Sequence, residues 1–181
     1  MSKLEQKNAI VWFTGQPGSG KTTLAREFID KLCYEYSNPD SSRTRFIHID
    51  GDEIRMVLAT NDSTDYGRSG RVKNIQFAID TSTFLVSKGF VPVVSLVSPY
   101  RYLREQLKII GKGTHYKKEQ PRFEVLEVYC HTTEIRGKEK YFSDEYEPPL
   151  QNFLDMDTTD KTIEECVDEI LIVYREMAGV A

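Results

Sequence analysis

Eight consecutive residues, Gly15-Gln16-Pro17-Gly18-Ser19-Gly20-Lys21-Thr22, have the types and spacing of a phosphate-binding loop, G-x-x-x-x-G-K-[ST]. Glycines let the backbone wrap a phosphate chain with successive N–H groups turned inward. A helix that begins there aims its positive end at the same anion. Lys21 would reach the β- and γ-phosphates, and the Thr22 hydroxyl would ligate Mg²⁺. The apolar run Ala9-Ile10-Val11-Trp12-Phe13 leads in as a strand, and Thr23-Leu24-Ala25-Arg26-Glu27-Phe28 leads out as a helix. Loop, strand and helix stand in the required order, so the sequence reads as one that binds a nucleoside triphosphate.

Further reactive groups stand where later apolar runs end. Phe46-Ile47-His48-Ile49 ends in Asp50-Gly51-Asp52-Glu53-Ile54-Arg55, which supplies two carboxylates and a guanidinium. The run Phe90–Val97 ends in Ser98-Pro99-Tyr100-Arg101, followed by Arg104, and Phe123–Cys130 is followed by Arg136. Basic groups around a polyphosphate would offset the charge that develops in phosphoryl transfer. Competing roles stay open for several of them. Asp50 or Asp52 would serve equally as the cap of the next helix, and Arg55 and Arg104 as solvated helix surface. Arg136 is assigned to the nucleotide side.

The elements that must position these groups alternate. Strands are expected at Ile10–Thr14, 46–49, 90–97, 123–130 and 153–156. Helices are expected from Lys21 to about Tyr34, Glu53 to about Ala59, Val72 to Lys88, Tyr100–Ile110 and Lys161–Met177. Gly89 fits the position just past a helix end. Polar breaks are read at 38–42 and 61–65, a basic irregular connection at 111–122, and a polar stretch without periodicity at 132–150. Ile163, Val167, Ile170, Tyr174 and Met177 form a core stripe. Strands separated by helical segments imply a parallel three-layer α/β sandwich. In such a sheet ligands bind beyond the carboxyl ends of the strands, where the reactive groups lie.

Composition excludes several classes. With 181 residues the chain suits one domain with a sizeable core. A net charge of -4 without a dense Lys/Arg cluster argues against nucleic acid as a partner. No apolar stretch is long enough for a membrane span, and Met1–Lys7 lacks the apolar core of a signal peptide. Cys33, Cys130 and Cys166 are scattered, as are His48, His115 and His131, so reduced thiols in a cytoplasmic protein are expected and a zinc site is not.

Taken in series, these motifs resemble adenylylsulfate kinase. Val11-Trp12-Phe13-Thr14-Gly15 with its loop, Asp50-Gly51-Asp52-x-x-Arg55, Arg71-x-x-Asn74, Ser98-Pro99-Tyr100-x-x-x-Arg104, Phe123-Glu124-Val125 and Tyr146-Glu147-x-Pro149 follow in the family's order. The resemblance implies a single P-loop kinase domain over 1–181. It also implies transfer of the γ-phosphate of MgATP to the ribose 3′-hydroxyl of adenosine 5′-phosphosulfate. Lys21 and Arg55 would be catalytic beside Asp52, the base for the hydroxyl proton. Arg55 and Asn74 would hold the phosphosulfate and ribose side, with Arg71 against the base. Asp50, Tyr66, Ser98 and Pro99 would complete the acceptor side. A homodimer stays open.

Two departures bear on the acceptor. The family's Asp-Arg before the Asn is here Gly70-Arg71. Its long lid, with a basic helix and a Phe-Thr-Gly segment whose Phe stacks on the acceptor base, is shortened here to 132–150. Phe142-Ser143 reads as a remnant of that segment, with Tyr141 as a rival ring and core packing as the rival role of Phe142. Lys138 or Lys140 would replace the lid cations. Besides adenosine 5′-phosphosulfate, two readings therefore remain: a kinase of the same build acting on another nucleotide, such as a cytidine diphosphate with a small polar group, and an ATP-binding switch with no small-molecule acceptor.

Overall fold

Alternation along the first strand decides the architecture. β1 (Ala9–Thr14) is buried along its whole length. Ala9, Val11 and Phe13 join one apolar cluster with Leu24, Phe28 and Leu32, while Ile10 and Trp12 join another with Ile75, Ile79 and Leu107. A strand apolar on both faces has to be covered on both. The computed structural model describes residues 7–35, 45–57, 66–113 and 121–179. The expected breaks at 38–42 and 61–65 lie outside them, as do residues 58–59 of the second helix and 114–120 of the basic connection.

After β1 come α1 (Lys21–Glu35), β2 (Phe46–Asp50), α2 (Gly51–Val57), α3 (Arg68–Ser87), β3 (Val91–Ser95), α4 (Arg101–Gly111), β4 (Glu124–His131), β5 (Leu154–Asp157) and α5 (Ile163–Ala178), with a 3-10 turn at Glu139–Tyr141. The five strands pair in parallel in the order β2-β3-β1-β4-β5. α1 and α5 cover one face, and α3 and α4 the other. This is the three-layer α/β sandwich of P-loop kinases.

Several element ends differ from the sequence reading by one or two residues, β3 for example being Val91–Ser95 rather than 90–97, and two helix starts bear on the site. α2 begins at Gly51 rather than Glu53 because the Asp50 carboxylate accepts the Asp52 N–H at 2.9 Å. Asp50 is therefore a helix cap as well. α3 begins at Arg68 rather than Val72. Its first turn holds no acidic residue to complement the helix dipole, and Arg68-Ser69-Gly70-Arg71 has no apolar period. Tertiary contacts hold it instead: the Arg68 guanidinium lies 4.7 Å above the Tyr100 ring and 3.4 Å from Glu145. The far end closes on Gly89 as expected, at φ 83, where the Phe90 N–H donates to the Leu85 carbonyl.

Arg104 is neither solvated surface nor a neighbour of a polyphosphate. It is 2% exposed. Its Nε donates to Glu127 at 2.6 Å, one terminal nitrogen to the Ser98 carbonyl and the other to the Glu147 carbonyl at 2.6 Å. Lys108 closes on the second oxygen of Glu127 at 2.5 Å. Arg101 also turns away from the strand ends, donating its N–H to the Glu147 carboxylate at 2.8 Å and a side-chain N–H to the Pro148 carbonyl at 3.1 Å. Both arginines fasten the segment Glu145–Pro148 to the sheet. Two more ties come from Tyr146, whose hydroxyl meets Thr14 Oγ1 at 3.0 Å, and from the Glu147 N–H, which donates to the Pro99 carbonyl at 2.9 Å.

Arg104→Met should destabilise the protein by about 3–5 kcal/mol, because it leaves the buried Glu127 short of a partner. Adding Glu127→Leu should recover much of that loss. Urea unfolding of both variants checks this, and equal losses in the two would show that packing rather than charge pairing is at stake.

Candidate active site

The loop between β1 and α1 is fixed by a close approach. Gly15 has φ 143, and a Cβ there would stand 2.0 Å from the Cys130 carbonyl oxygen, so no side chain fits. Lys21, only 8% exposed, donates from its ammonium to the Gln16 carbonyl at 2.7 Å and to Ser19 Oγ at 3.4 Å. Burial pulls its pKa down to about 8, against the opposing pull of Asp50 and Asp52.

Asp50 joins four elements. Its Oδ2 accepts the hydroxyls of Thr22 and Ser95, each at 2.9 Å, while Oδ1 takes the Asp52 N–H. Behind Ser95, His48 Nε2 lies 2.9 Å from the Ser95 oxygen. Burial alone would raise the Asp50 pKa, yet the hydrogen bonds from the Asp52 N–H, Ser95, Thr22 and the Glu53 N–H hold it below the ordinary carboxylate value. For His48, burial and Arg26 outweigh Asp50 and Glu53 and lower the imidazole pKa.

An ionised carboxylate hydrogen-bonded to Thr22, with Asp52 close by, is a set of hard oxygens that suits Mg²⁺. Among the described residues no group of three or more His, Cys, Asp or Glu side chains is placed to hold a metal alone.

A cleft of about 780 Å³ opens at the carboxyl ends of the strands, a volume in the range of nucleotide-sized sites. Lys21, Thr22, Asp50, Asp52, Arg55, Tyr66, Arg71, Asn74, Ser98, Pro99 and Phe142 all line it, together with Pro17, Gly18, Lys138, Lys140 and Tyr141. The remaining loop residues Gly15, Gln16, Ser19 and Gly20 do not line it, and neither does Thr23, which is exposed at the start of α1. Arg136 stands against the loop from outside, donating to the Gly18 carbonyl at 3.2 Å and to the Thr158 carbonyl at 2.9 Å.

On the acceptor side the Arg55 guanidinium covers the Tyr66 ring at 4.6 Å, and Arg71 Nε donates to the Tyr66 carbonyl at 2.8 Å. Asn74 donates to the Gly51 carbonyl at 3.2 Å, while its buried Oδ1 has no hydrogen-bond partner. Phe142 is 45% exposed, which removes core packing as its role, and Tyr141 beside it is flanked by Lys140 and Lys138. Ser98 adopts φ 45, a strained conformation for a non-glycine residue that hydrogen bonds from Trp12 and Arg104 hold in place.

Sequence reasoning missed Ser95 and the side chains of Thr14 and Tyr146. Ser95 left one signal, a lone hydroxyl in the buried apolar strand Val91-Pro92-Val93-Val94-Ser95. Thr14 and Tyr146 stand within motifs that carry the family resemblance, but their side chains had no role until the two met.

A polyphosphate on this loop favours the charged form of Lys21. As pH rises through about 8 the free side chain loses its proton, so binding above that pH should be accompanied by proton uptake and should weaken. Calorimetric titration with AMPPNP at pH 8.5 in two buffers of different ionisation enthalpy measures the uptake. It should vanish in Lys21→Met, and an equal uptake in that variant would assign the proton to another group.

Several known proteins are similar to this chain. An adenylyl-sulfate kinase of Chloroflexus aurantiacus is 32% identical over 177 residues, covering 93% of this chain and 89% of its own. The cytidine diphosphoramidate kinase of Campylobacter jejuni is 35% identical over 103 residues, 55% of each chain. The APS kinase of Mycobacterium tuberculosis, solved in complex with AMPPNP and APS, has the same fold, with a TM-score of 0.70 at 21% identity over 94% of this chain and 99% of that one. The family model of adenylylsulphate kinase matches residues 7–151, from just before β1 through the segment that Arg101 and Arg104 fasten. By that match, the chain belongs to the adenylylsulphate kinase family.

Proposed function

We propose that this chain transfers the γ-phosphate of ATP to the ribose 3′-hydroxyl of adenosine 5′-phosphosulfate. The observation that supports it best is one cleft of nucleotide size lined both by Pro17, Gly18, Lys21 and Thr22 of the phosphate loop and by Asp52, Arg71 and Asn74. The triphosphate lies along Gly15–Thr22, and Lys21 offsets the negative charge that grows on the transferred group. Thr22, with Asp50 behind it, would hold Mg²⁺, which supplies charge neutralisation at the β- and γ-phosphate oxygens.

Asp50 is engaged by Thr22 and Ser95, which leaves Asp52 as the carboxylate for the acceptor. It takes the proton of the 3′-hydroxyl as that oxygen bonds to the γ-phosphorus and ADP leaves with the bridging oxygen. Arg55 binds the acceptor's anionic groups, Arg71 lies against its base, and the unpartnered Oδ1 of Asn74 accepts from a ribose hydroxyl. Tyr66 and Phe142 offer the flat faces for the base.

A second reading replaces the acceptor by a cytidine diphosphate derivative of the cytidine diphosphoramidate kind. Two observations favour it: the partial match to the Campylobacter jejuni enzyme, and a short lid that brings Lys138 and Lys140 to the cleft wall, suited to an acceptor held more by its phosphates than by its base. A cytoplasmic location and a homodimer belong to the same proposal. Among the described residues no helix is long and apolar enough to cross a membrane, and all three cysteines are free thiols.

Turnover of ATP against adenosine 5′-phosphosulfate, cytidine diphosphate derivatives and other nucleotides, with the product's mass determined, decides between the two acceptors. Phosphorylation of a cytidine nucleotide but not of adenosine 5′-phosphosulfate at millimolar concentration would move the assignment to the second reading. Asp52→Asn should lower turnover by about 10²–10⁴-fold, the usual contribution of a positioned base, with ATP affinity little changed. A crippling Asp50→Asn beside a mild Asp52→Asn would exchange the two roles.

A further inference from the structure

Gln16 occupies a variable position of the phosphate-loop pattern, where the motif asks nothing of the side chain. Here that side chain leaves its own loop. Its Nε2 donates to the Ser143 carbonyl at 2.9 Å, and its Oε1 accepts the Ser143 N–H at 2.9 Å. A primary amide paired both ways with one backbone residue mimics a strand pair and fixes that residue in distance and rotation. Ser143 is 8% exposed, whereas residues 137–142 just before it are all exposed.

Among the described residues, the span before Ser143 is tied at its other end by Arg136. The Arg136 N–H donates to the Glu139 carboxylate at 2.8 Å, and the Arg136 guanidinium grips Gly18 and Thr158. Between these two fixed points lie Lys138, Lys140, Tyr141 and Phe142, the four residues of the span that line the cleft. Phe142 is bonded directly to Ser143, so the azimuth of its ring over the cleft depends on how that backbone is held. Gln16 meanwhile keeps Lys21 through its own carbonyl at 2.7 Å. One residue thus touches the donor lysine by its main chain and the acceptor cover by its side chain.

The geometry points to Gln16 as a positioning residue for the acceptor: through Ser143 it sets the place of Phe142 and of the lysines at 138 and 140, and so contributes to acceptor recognition without touching the acceptor. The acceptor half of this inference rests on the kinase reading above, and the anchoring half does not. Gln16→Leu removes both hydrogen bonds. Gln16→Glu keeps the shape and the acceptor for the Ser143 N–H but sets a carboxylate against the Ser143 carbonyl, so it should behave like the leucine variant.

The test has two arms. In the first, limited trypsin digestion of the full chain is followed by mass spectrometry. Cleavage after Lys138 and Lys140 should be about tenfold faster in both variants, while thermal midpoints stay near wild type. An unchanged cleavage rate would overturn the anchoring role, whatever the reaction proves to be. In the second arm, with whichever acceptor the panel identifies, both variants should raise the acceptor KM about tenfold, and Gln16→Leu, which adds no charge to the phosphate loop, should leave the ATP KM within twofold. Gln16→Leu should add little to Phe142→Ala in the double variant, since one acts through the other. A rise in the ATP KM of Gln16→Leu instead would place Gln16 on the donor phosphates, and fast cleavage with an unchanged acceptor KM would show an anchor without a part in recognition. Either result overturns the proposal. If no acceptor is turned over, the kinase reading fails, and the digestion arm still decides the anchoring role.

Discussion

A single buried guanidinium ties the working end of this molecule together. Arg104 reaches β4 through Glu127, the turn after β3 through the Ser98 carbonyl, and the last part of the lid segment through the Glu147 carbonyl. A charge taken out of water is tolerable only when its hydrogen-bonding capacity is met by good partners. The three partners come from three parts of the chain, so satisfying the charge fixes their relative positions. Ser98 keeps its unfavourable φ because its oxygen is held from one side and its hydroxyl by Trp12 from the other. Tyr146, stacked on Tyr129 at 5.9 Å and bonded to Thr14, is then placed beside the entrance to the phosphate loop.

Upon that frame the donor and acceptor halves are built by different means. The donor half is backbone geometry: Gly15 pressed on the Cys130 carbonyl, and a loop that turns directly into α1. The acceptor half is side-chain geometry, in which Asp50 orders Thr22, Ser95 and the start of α2 at once. Because Asp50 is occupied in this way, the two carboxylates of Asp50-Gly51-Asp52 are not equivalent. Both line the cleft, but Asp50 is also an internal strut of the site.

How much of this was legible in the sequence follows from where the information resides. The phosphate loop and the parallel sheet were readable because both are local: glycines, lysine and threonine at fixed spacing, and apolar runs alternating with helical periods. Gly89 as a helix terminator is local too. The start of α3 was not, since Arg68 is held by Tyr100 and Glu145 from elsewhere in the chain. Arg104 was misplaced for the same reason. On a helix pattern an arginine reads as solvated, and only Glu127 in a facing strand makes it internal. Gln16 carried no signal of any kind, because a loop pattern leaves its position open and its partner is a main-chain group, which every residue possesses.

The span between the Arg136 and Ser143 anchors has an entropic meaning. Residues 137–142 are six in number, and at roughly 3.4 Å per residue a stretch of that length reaches about 20 Å when fully extended. Fixing the backbone of a free residue costs about 1–2 kcal/mol. A stretch this short, tied at both ends before any acceptor arrives, has part of that cost met in the free protein, so less of the binding free energy goes into ordering the cover.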